Sequence, residues 1–231
     1  MMKPGHIHDL SHTIIPGSEE YCLEIDTRLT EQWEQFAQYK REEGHWYVLS
    51  EVKFSTHVGT HIEFPYHHFK DGLEASSFPL EKLIGEGTVV DISRWGQNEC
   101  IPLESLKRVA GDQIHPNDIV YFYTGLDRYY HTPKQHYRPW FTTEAIAWLA
   151  STRLNVMGVD TSGIEVRNSD GSPFYGQPNH ETLLGAGIPL IEYLTNLKSL
   201  IGKRFMTYIL PVKLAGAEAF PVRVIAIEEE T

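Results

Sequence analysis

The stretch "HVGTHIEFPYHH", residues 57–68, constrains this chain more than any other. It holds four histidines, a glutamate, a glycine and a proline within twelve residues. A carboxylate is costly to bury without a partner, and clustered imidazoles have few reasons to share one short segment. The fold must therefore either expose these side chains or bring them to a common partner.

Alternation predicts one long strand over residues 45–64. In a strand, His57, Gly59, His61 and Glu63 lie on one face. In a helix, Glu63 would point about 240° around the axis from His57, so a helix would not group them. The opposite face is predicted to be apolar and to carry Trp46, Val48, Val52, Phe54 and Val58.

A straight strand would hold the two imidazoles too far apart, because four residues span roughly 13 Å. Gly59 permits a bend between His57 and His61, and the Thr60 hydroxyl can bond to backbone there. Two histidines and one carboxylate, here Glu63, suit Zn, Mn or Fe. The alternative is a solvated strand face of ordinary polar residues.

A second candidate pair, His180 and Glu192, lies more than one hundred residues downstream. Glu192 interrupts an apolar run, so it needs a partner, for which a metal and an arginine are both candidates. The helical zinc motif HExxH does not occur, because Leu184 stands where it needs its second histidine.

Secondary-structure signals favour an α/β fold in a single domain, residues 1–231, since no linker divides the chain. A Thr-capped amphipathic helix is predicted over 142–153 and followed by a strand. A polar helix is predicted near 31–40, and a short helix that ends at glycine begins at His180. Further strands are predicted at 7–15, 87–93, 118–125, 205–212 and 220–228.

Composition excludes several classes of protein. The chain has 20 Lys and Arg against 31 Asp and Glu, a formal net charge of −11, which disfavours nucleic acid as a partner. Two distant cysteines, Cys22 and Cys100, make neither a disulfide framework nor a cysteine-rich zinc site. An apolar run long enough to span a membrane is lacking, and the N-terminal residues resemble no leader, so we expect a cytoplasmic protein.

Both clusters together resemble the cyclase family of metal-dependent hydrolases, which includes bacterial kynurenine formamidase and isatin hydrolase. The family motif reads H-x-G-T-H-x-D-x-P-x-H, and a histidine followed twelve residues later by a glutamate matches His180 and Glu192. Weaker similarity covers most of the chain. The motif positions here are His57, Gly59, Thr60, His61, Glu63, Pro65 and His67.

The resemblance implies a swivelling β/β/α fold, a barrel-like mixed sheet with helices packed outside. It implies His67 as the acid/base, a small-molecule amide substrate and a homo-oligomer, either a dimer or a tetramer. It also implies one or two divalent ions, Zn²⁺ first and Mn²⁺ as the alternative. The implied metal ligands are His57, His61, Glu63, His180 and Glu192.

Two departures from the family bear on this expectation. Glu63 stands where the family usually has Asp, and the extra methylene moves the carboxylate outward by about 1.5 Å. The Trp-Pro-Gly-Asp turn that is typical of kynurenine formamidases is replaced by "IIPGSEEYC". The first departure affects metal spacing, and the second affects the substrate pocket.

The expected reaction is cleavage of a C–N bond in a small linear or cyclic amide by metal-activated water. His67 shares the parity of the first ligands, and His68 is the alternative acid/base. One rival function is a non-catalytic module that binds metal or a small acid. The other is a cupin-like oxygenase built on His6 and His8, for which Glu19 and Asp9 are poorly spaced.

Overall fold

The computed structural model describes residues 5–168 and 172–228. Their β-strands and α-helices follow one another in mixed order along the chain. They are β1 (Ile7–Asp9), β2 (Leu23–Asp26), α1 (Leu29–Trp33), β3 (Glu51–Phe54), β4 (His61–Glu63), β5 (Ile84–Asp91), β6 (Cys100–Ile101), α2 (Leu103–Ala110), β7 (Ile119–Tyr123), β8 (Trp140–Phe141), α3 (Thr143–Ser151), β9 (Val156–Val159), α4 (Pro178–Gly185), β10 (Leu190–Glu192), β11 (Arg204–Ile209), β12 (Ala219–Pro221) and β13 (Val224–Ile227).

One large sheet organises the fold. Its nine strands run in the order β1-β13-β11-β5-β7-β9-β10-β4-β12, and it curls into a half-barrel. The central strands β5, β7, β9 and β10 pair in parallel, whereas the strands on either side pair antiparallel. The predicted α/β class with a barrel-like mixed sheet is therefore confirmed.

Alternate residues of the central strands enter two separate hydrophobic cores. Val89 and Tyr121 face the inside of the curled sheet, with Ile62 and Ile191. Their neighbours Val90 and Phe122 face the opposite side, where α2, α3 and α4 cover the sheet. Parallel strands buried on both faces read as continuous apolar runs, which explains why 87–93 and 118–125 were predictable.

The predicted helix over 142–153 is observed as α3, and its cap is the expected one: the Thr142 hydroxyl accepts a hydrogen bond from the backbone N–H of Ala145 at 3.2 Å. Helix α4 carries His180 and begins at Pro178, which suits a first helical position. Within the described residues, no helix is long and apolar enough to cross a membrane.

Four predicted elements are wrong in extent. The strand predicted over 7–15 is observed only as β1, and the strand predicted over 220–228 is split into β12 and β13. The long strand over 45–64 is broken into β3 and β4, which are separated by a turn, and residues 45–50 are not in a strand. The first part of its predicted apolar face is exposed, with Trp46 81% and Val52 52% exposed, whereas Val58 at its end is 1% exposed. Alternation alone did not require that face to be buried. The helix predicted near 31–40 is reduced to α1 and one 3-10 turn, Ala37–Tyr39.

The turn between β3 and β4 depends on Gly59, which has φ +68°. A Cβ atom at this position would lie 2.1 Å from Cγ2 of Ile14. Any other residue would therefore meet both a backbone penalty and a clash with the neighbouring segment.

We expect Gly59→Ala to lower the free energy of unfolding by about 1–3 kcal/mol more than Gly202→Ala does. Gly202 is the matched control, because it has φ +73° and a Cβ atom added there would meet nothing within 4 Å. Denaturant unfolding with unchanged m-values measures both. Equal losses for the two variants would show that the contact with Ile14 does not constrain the turn.

Candidate metal centre and active site

The site begins with the pairing of β4 and β10. This antiparallel register places His61 directly opposite Glu192. Cross-strand partners share a face of the sheet, so both side chains point toward the helical layer together with Glu63. His61 Nε2 lies 3.8 Å from a Glu192 oxygen and 3.6 Å from Glu63 Oε1. His61 is 1% exposed, Glu63 3% and Glu192 9%.

The bend at Gly59 then turns His57 toward the same point. His57 Nε2 lies 3.3 Å from Glu63 Oε1. The Thr60 hydroxyl donates to the Tyr193 carbonyl at 2.5 Å and accepts from the His12 amide at 2.9 Å. Thr60 thus ties the bend by a hydroxyl bond to backbone, as expected, and its partners lie in distant segments of the chain.

Helix α4 supplies the fifth side chain. His180 Nε2 lies 3.5 Å from Glu63 Oε2 and 3.5 Å from Glu192 Oε1. The structure therefore brings all five predicted ligand residues together, across a gap in sequence of more than one hundred residues.

Glu63 is the residue that the two halves of the site share. One of its oxygens faces His57 and His61, and the other faces His180, whose Nε2 also approaches Glu192. In each half, the candidate ligand atoms lie within 4.8 Å of one another. Ligands about 2.1 Å from a tetrahedral ion are separated by about 3.4 Å, and the observed separations are close to this. The arrangement could hold one ion or two.

Backbone and carboxylate acceptors set the tautomers of two imidazoles. His61 Nδ1 lies 2.9 Å from the Gly59 carbonyl oxygen, and a carbonyl can only accept, so Nδ1 carries the proton. His180 Nδ1 lies 2.7 Å from Glu165 Oε2 and donates in the same way. In both residues Nε2 faces the carboxylates, which is the orientation required of a metal ligand.

Several polar atoms in this site are buried and unpartnered within the described part of the chain. They are Nε2 of His57, Nε2 of His61 and Oε2 of Glu63. Buried polar groups in proteins are nearly always satisfied, so a group of such orphans at one point indicates a missing partner. A divalent cation suits the combination of bare imidazole nitrogens and carboxylate oxygens.

Charge pairing shifts the pKa values of these groups. Burial opposes the charged form of His180, but Glu165 and Glu192 outweigh it and raise its pKa to about 10. Burial likewise opposes ionisation of Glu63, yet the surrounding imidazoles hold its pKa well below the usual range. The site therefore stabilises Glu63 in its ionised form, as a cation site requires.

His67 and His68 both lie near the site, on the turn that follows β4. His67 Nε2 is 3.8 Å from Glu63 Oε1, and its ring lines the cavity. Burial lowers the pKa of His67, although Glu63 opposes the change. His68 does not face away as its parity suggested: its ring stacks on His180 at 5.6 Å, and its Nε2 lies 2.8 Å from the Gln177 side-chain oxygen.

Sequence reasoning missed three residues near the site. Glu165 accepts a hydrogen bond from His180 Nδ1. It lies between the apolar residues Ile164 and Val166, and an apolar setting is the same signal that identified Glu192. Glu218 accepts from the Thr56 hydroxyl at 2.6 Å and lies 3.9 Å from His57 Nδ1. Arg138 is buried beside the cavity, and nothing in the sequence marks an arginine as buried.

The five side chains lie on the wall of a cavity of about 700 Å³. Tyr21, Tyr193 and Phe174 contribute aromatic surface, and Arg138 and Arg167 contribute positive charge. His8, one of the two cupin-type candidates, instead bonds to Glu228 at 2.6 Å and is not part of this wall. The cavity has the size and mixed lining of a small-molecule site.

Sequence comparison identifies the family. The model of the family described as "Putative cyclase" matches residues 8–166, so the chain belongs to this family. A kynurenine formamidase from Erythrobacter litoralis is 25% identical over 224 residues, covering 96% of this chain and 94% of that protein.

Two solved structures share the fold. An isatin hydrolase bound to the product analogue thioisatinate superposes with a TM-score of 0.78 at 18% identity, covering 97% of this chain and 93% of that one. A potential metal-dependent hydrolase with cyclase activity gives a TM-score of 0.73 at 24% identity, covering 98% and 99%.

We expect added Zn²⁺ or Mn²⁺ to raise the melting temperature of chelator-treated protein. An ion that binds only the native state stabilises it by about 2.7 kcal/mol at one hundred times its dissociation constant. Differential scanning calorimetry against metal concentration measures the shift. The shift should disappear in Glu63→Ala, which removes the shared carboxylate, and a shift that persists there would place the ion elsewhere.

Proposed function

We propose that this protein is a metal-dependent hydrolase that cleaves a C–N bond in a small linear or cyclic amide. The observation that supports this most is the convergence of three imidazoles and two carboxylates, with bare Nε2 atoms, on the wall of one cavity. The kynurenine formamidase and isatin hydrolase relatives support the amide as the substrate class.

We assign the metal ligands as His57, His61, Glu63, His180 and Glu192. Imidazole and carboxylate ligands suit Zn²⁺ first and Mn²⁺ second. When bound, a divalent ion supplies Lewis acidity: it lowers the pKa of a water ligand and polarises the amide carbonyl. The protein supplies the orientation of the imidazoles, through the Gly59 carbonyl and Glu165.

His67 is the residue we assign to proton transfer. Its lowered pKa keeps the ring neutral near pH 7, so it can accept a proton from the attacking water. It then donates that proton to the leaving nitrogen. Its ring is only partly buried and lies beside Glu63, the residue shared by both halves of the site, so it can reach a substrate that enters the cavity.

The second candidate function is a non-catalytic module that binds a metal or a small acid. The positive side chains of the cavity wall favour this function as well as the enzyme. The two functions differ in what they require of His67, because a binding module needs the ligands but does not need a group that transfers protons.

We expect His67→Ala to reduce turnover of the best amide substrate by about 10²–10⁴-fold, the usual share of a general acid or base. Metal content should not change. His68→Phe is the control, because it keeps a ring against His180 and should lose far less activity. The assay is a panel of N-formyl aryl amines and cyclic amides, with metal content from elemental analysis.

If His67→Ala hydrolyses that substrate at the wild-type rate, His67 is not the proton-transfer residue. If the metal-loaded wild type hydrolyses nothing in the panel but binds small acids, the binding module is the better description. Loss of both metal and activity in His61→Ala would support the ligand assignment.

We expect Glu165→Gln to weaken metal affinity by about 10–100-fold, the usual effect of removing a partner that orients a ligand. Gln keeps the shape of Glu165 but removes the charge that fixes His180 Nδ1–H. Glu181→Gln is the matched control, since Glu181 neighbours His180 on α4 and is exposed. Competition with a chromophoric chelator measures the affinity, and equal values for both variants would exclude this role.

A further inference from the structure

Arg138 is a buried cation on the wall of the cavity. It is 5% exposed, which is rare for an arginine without an ionic partner. Its hydrogen bonds to described residues both come from Nη1, to the carbonyl oxygens of Pro139 at 3.3 Å and Glu165 at 3.0 Å. Nε is buried without an acceptor, and Nη2 makes no bond to the described part of the chain. The Nε–Nη2 edge of a guanidinium can bind a carboxylate through two parallel hydrogen bonds.

The carboxylates nearest to Arg138 are already engaged. Glu165 and Glu192 influence its charge, but among residues 5–168 and 172–228 no carboxylate oxygen lies within 4.0 Å of its guanidinium. Glu165 bonds to His180, and Glu192 is one of the proposed metal ligands. Once a divalent ion neutralises Glu192 and Glu63, the carboxylate that still influences Arg138 is Glu165, and its Oε2 is already bonded to His180.

A second cation increases the positive charge on this side of the cavity. Arg167 lines the same wall, and together with burial it lowers the pKa of Arg138 to about 10. Arg138 still remains charged at neutral pH. A buried charge of this kind is unfavourable unless it is paired, and an open cavity beside it allows the pair to come from a ligand.

We propose that Arg138 binds a carboxylate carried by the substrate, away from the amide that is cleaved. The substrate class is then an acidic aryl amide, whose ring packs on Tyr21, Tyr193 and Phe174. This inference rests on the proposed function and adds to it the feature that separates acidic amides from neutral ones of the same size. The Glu165 carbonyl holds the Arg138 guanidinium, and the Glu165 carboxylate holds His180, so one residue links substrate recognition to the metal site.

The first test compares substrates that differ by one group. N-formylaniline and its 2-, 3- and 4-carboxylates present the same amide with and without an anion at three positions. In the wild type, at least one carboxylate should be preferred over N-formylaniline by about 10–100-fold in kcat/KM, mostly through KM, as expected for hydrogen bonds to a charged group. Equal kcat/KM values across the series would overturn the proposal.

The second test removes the guanidinium. Arg138→Met should abolish the preference, while Arg138→Lys should retain part of it, because lysine keeps the charge but not the paired donors. Arg128→Met is the control for the loss of one positive charge, since Arg128 bonds to the Gly125 carbonyl and does not line the cavity. A preference that survives in folded Arg138→Lys and Arg138→Met at the wild-type value would also overturn the proposal.

The third test does not depend on turnover. Calorimetric titration of the metal-loaded protein with benzoate and with benzamide should show tighter binding of benzoate in the wild type and in Arg128→Met, but not in Arg138→Met. If no amide is hydrolysed yet this pattern holds, the proposed function fails and the anion site stands. If Arg138→Met binds benzoate as the wild type does, the anion site fails even when amides are hydrolysed.

Discussion

The site depends on burying two carboxylates side by side. Glu63 and Glu192 lie on adjacent strands, β4 and β10, and both are almost completely enclosed. Like charges at this spacing repel strongly in a low-dielectric interior, and each carboxylate also loses its hydration. The surrounding imidazoles offset this cost, because each one points a ring nitrogen toward Glu63 or toward both carboxylates. A cation between them, either a protonated imidazole or a metal ion, offsets this repulsion.

This requirement explains why the ligands come from three separate parts of the chain. In a straight strand, side chains on one face recur about every 6.6 Å, so His57 and His61 would lie roughly 13 Å apart, too far for a single ion. The bend at Gly59 shortens that interval for His57 and His61, and the strand pair adds Glu192 at the distance of a cross-strand neighbour. Helix α4, which packs on this face of the sheet, then adds His180. Strand β4 with its preceding bend, strand β10 and helix α4 therefore each supply ligands that the other two cannot place there.

Much of this was predictable because it follows from local rules. Period-two alternation placed His61 and Glu63 on one face, and the apolar run around Glu192 indicated that it needed a partner. The same alternation was wrong for residues 45–50, since periodicity does not show whether another element covers the apolar side. The positions of Glu218 and Arg138 depend on contacts between distant segments, and neither spacing nor composition encodes them; Glu165 carried the same apolar setting as Glu192.

Gly163 shows how closely the scaffold is fitted to the carboxylates. It has φ +100°, and a Cβ there would lie 2.5 Å from Glu192 Oε1. The loop after β9 therefore passes against the carboxylate with only a hydrogen atom facing it, which leaves Glu192 free to turn toward His61 and His180. The same loop continues to Glu165, whose carboxylate accepts a hydrogen bond from His180 Nδ1, the ring nitrogen opposite the one that faces Glu192. Because one short segment shapes the space around Glu192 and orients His180, a change in its backbone would disturb both halves of the site at once.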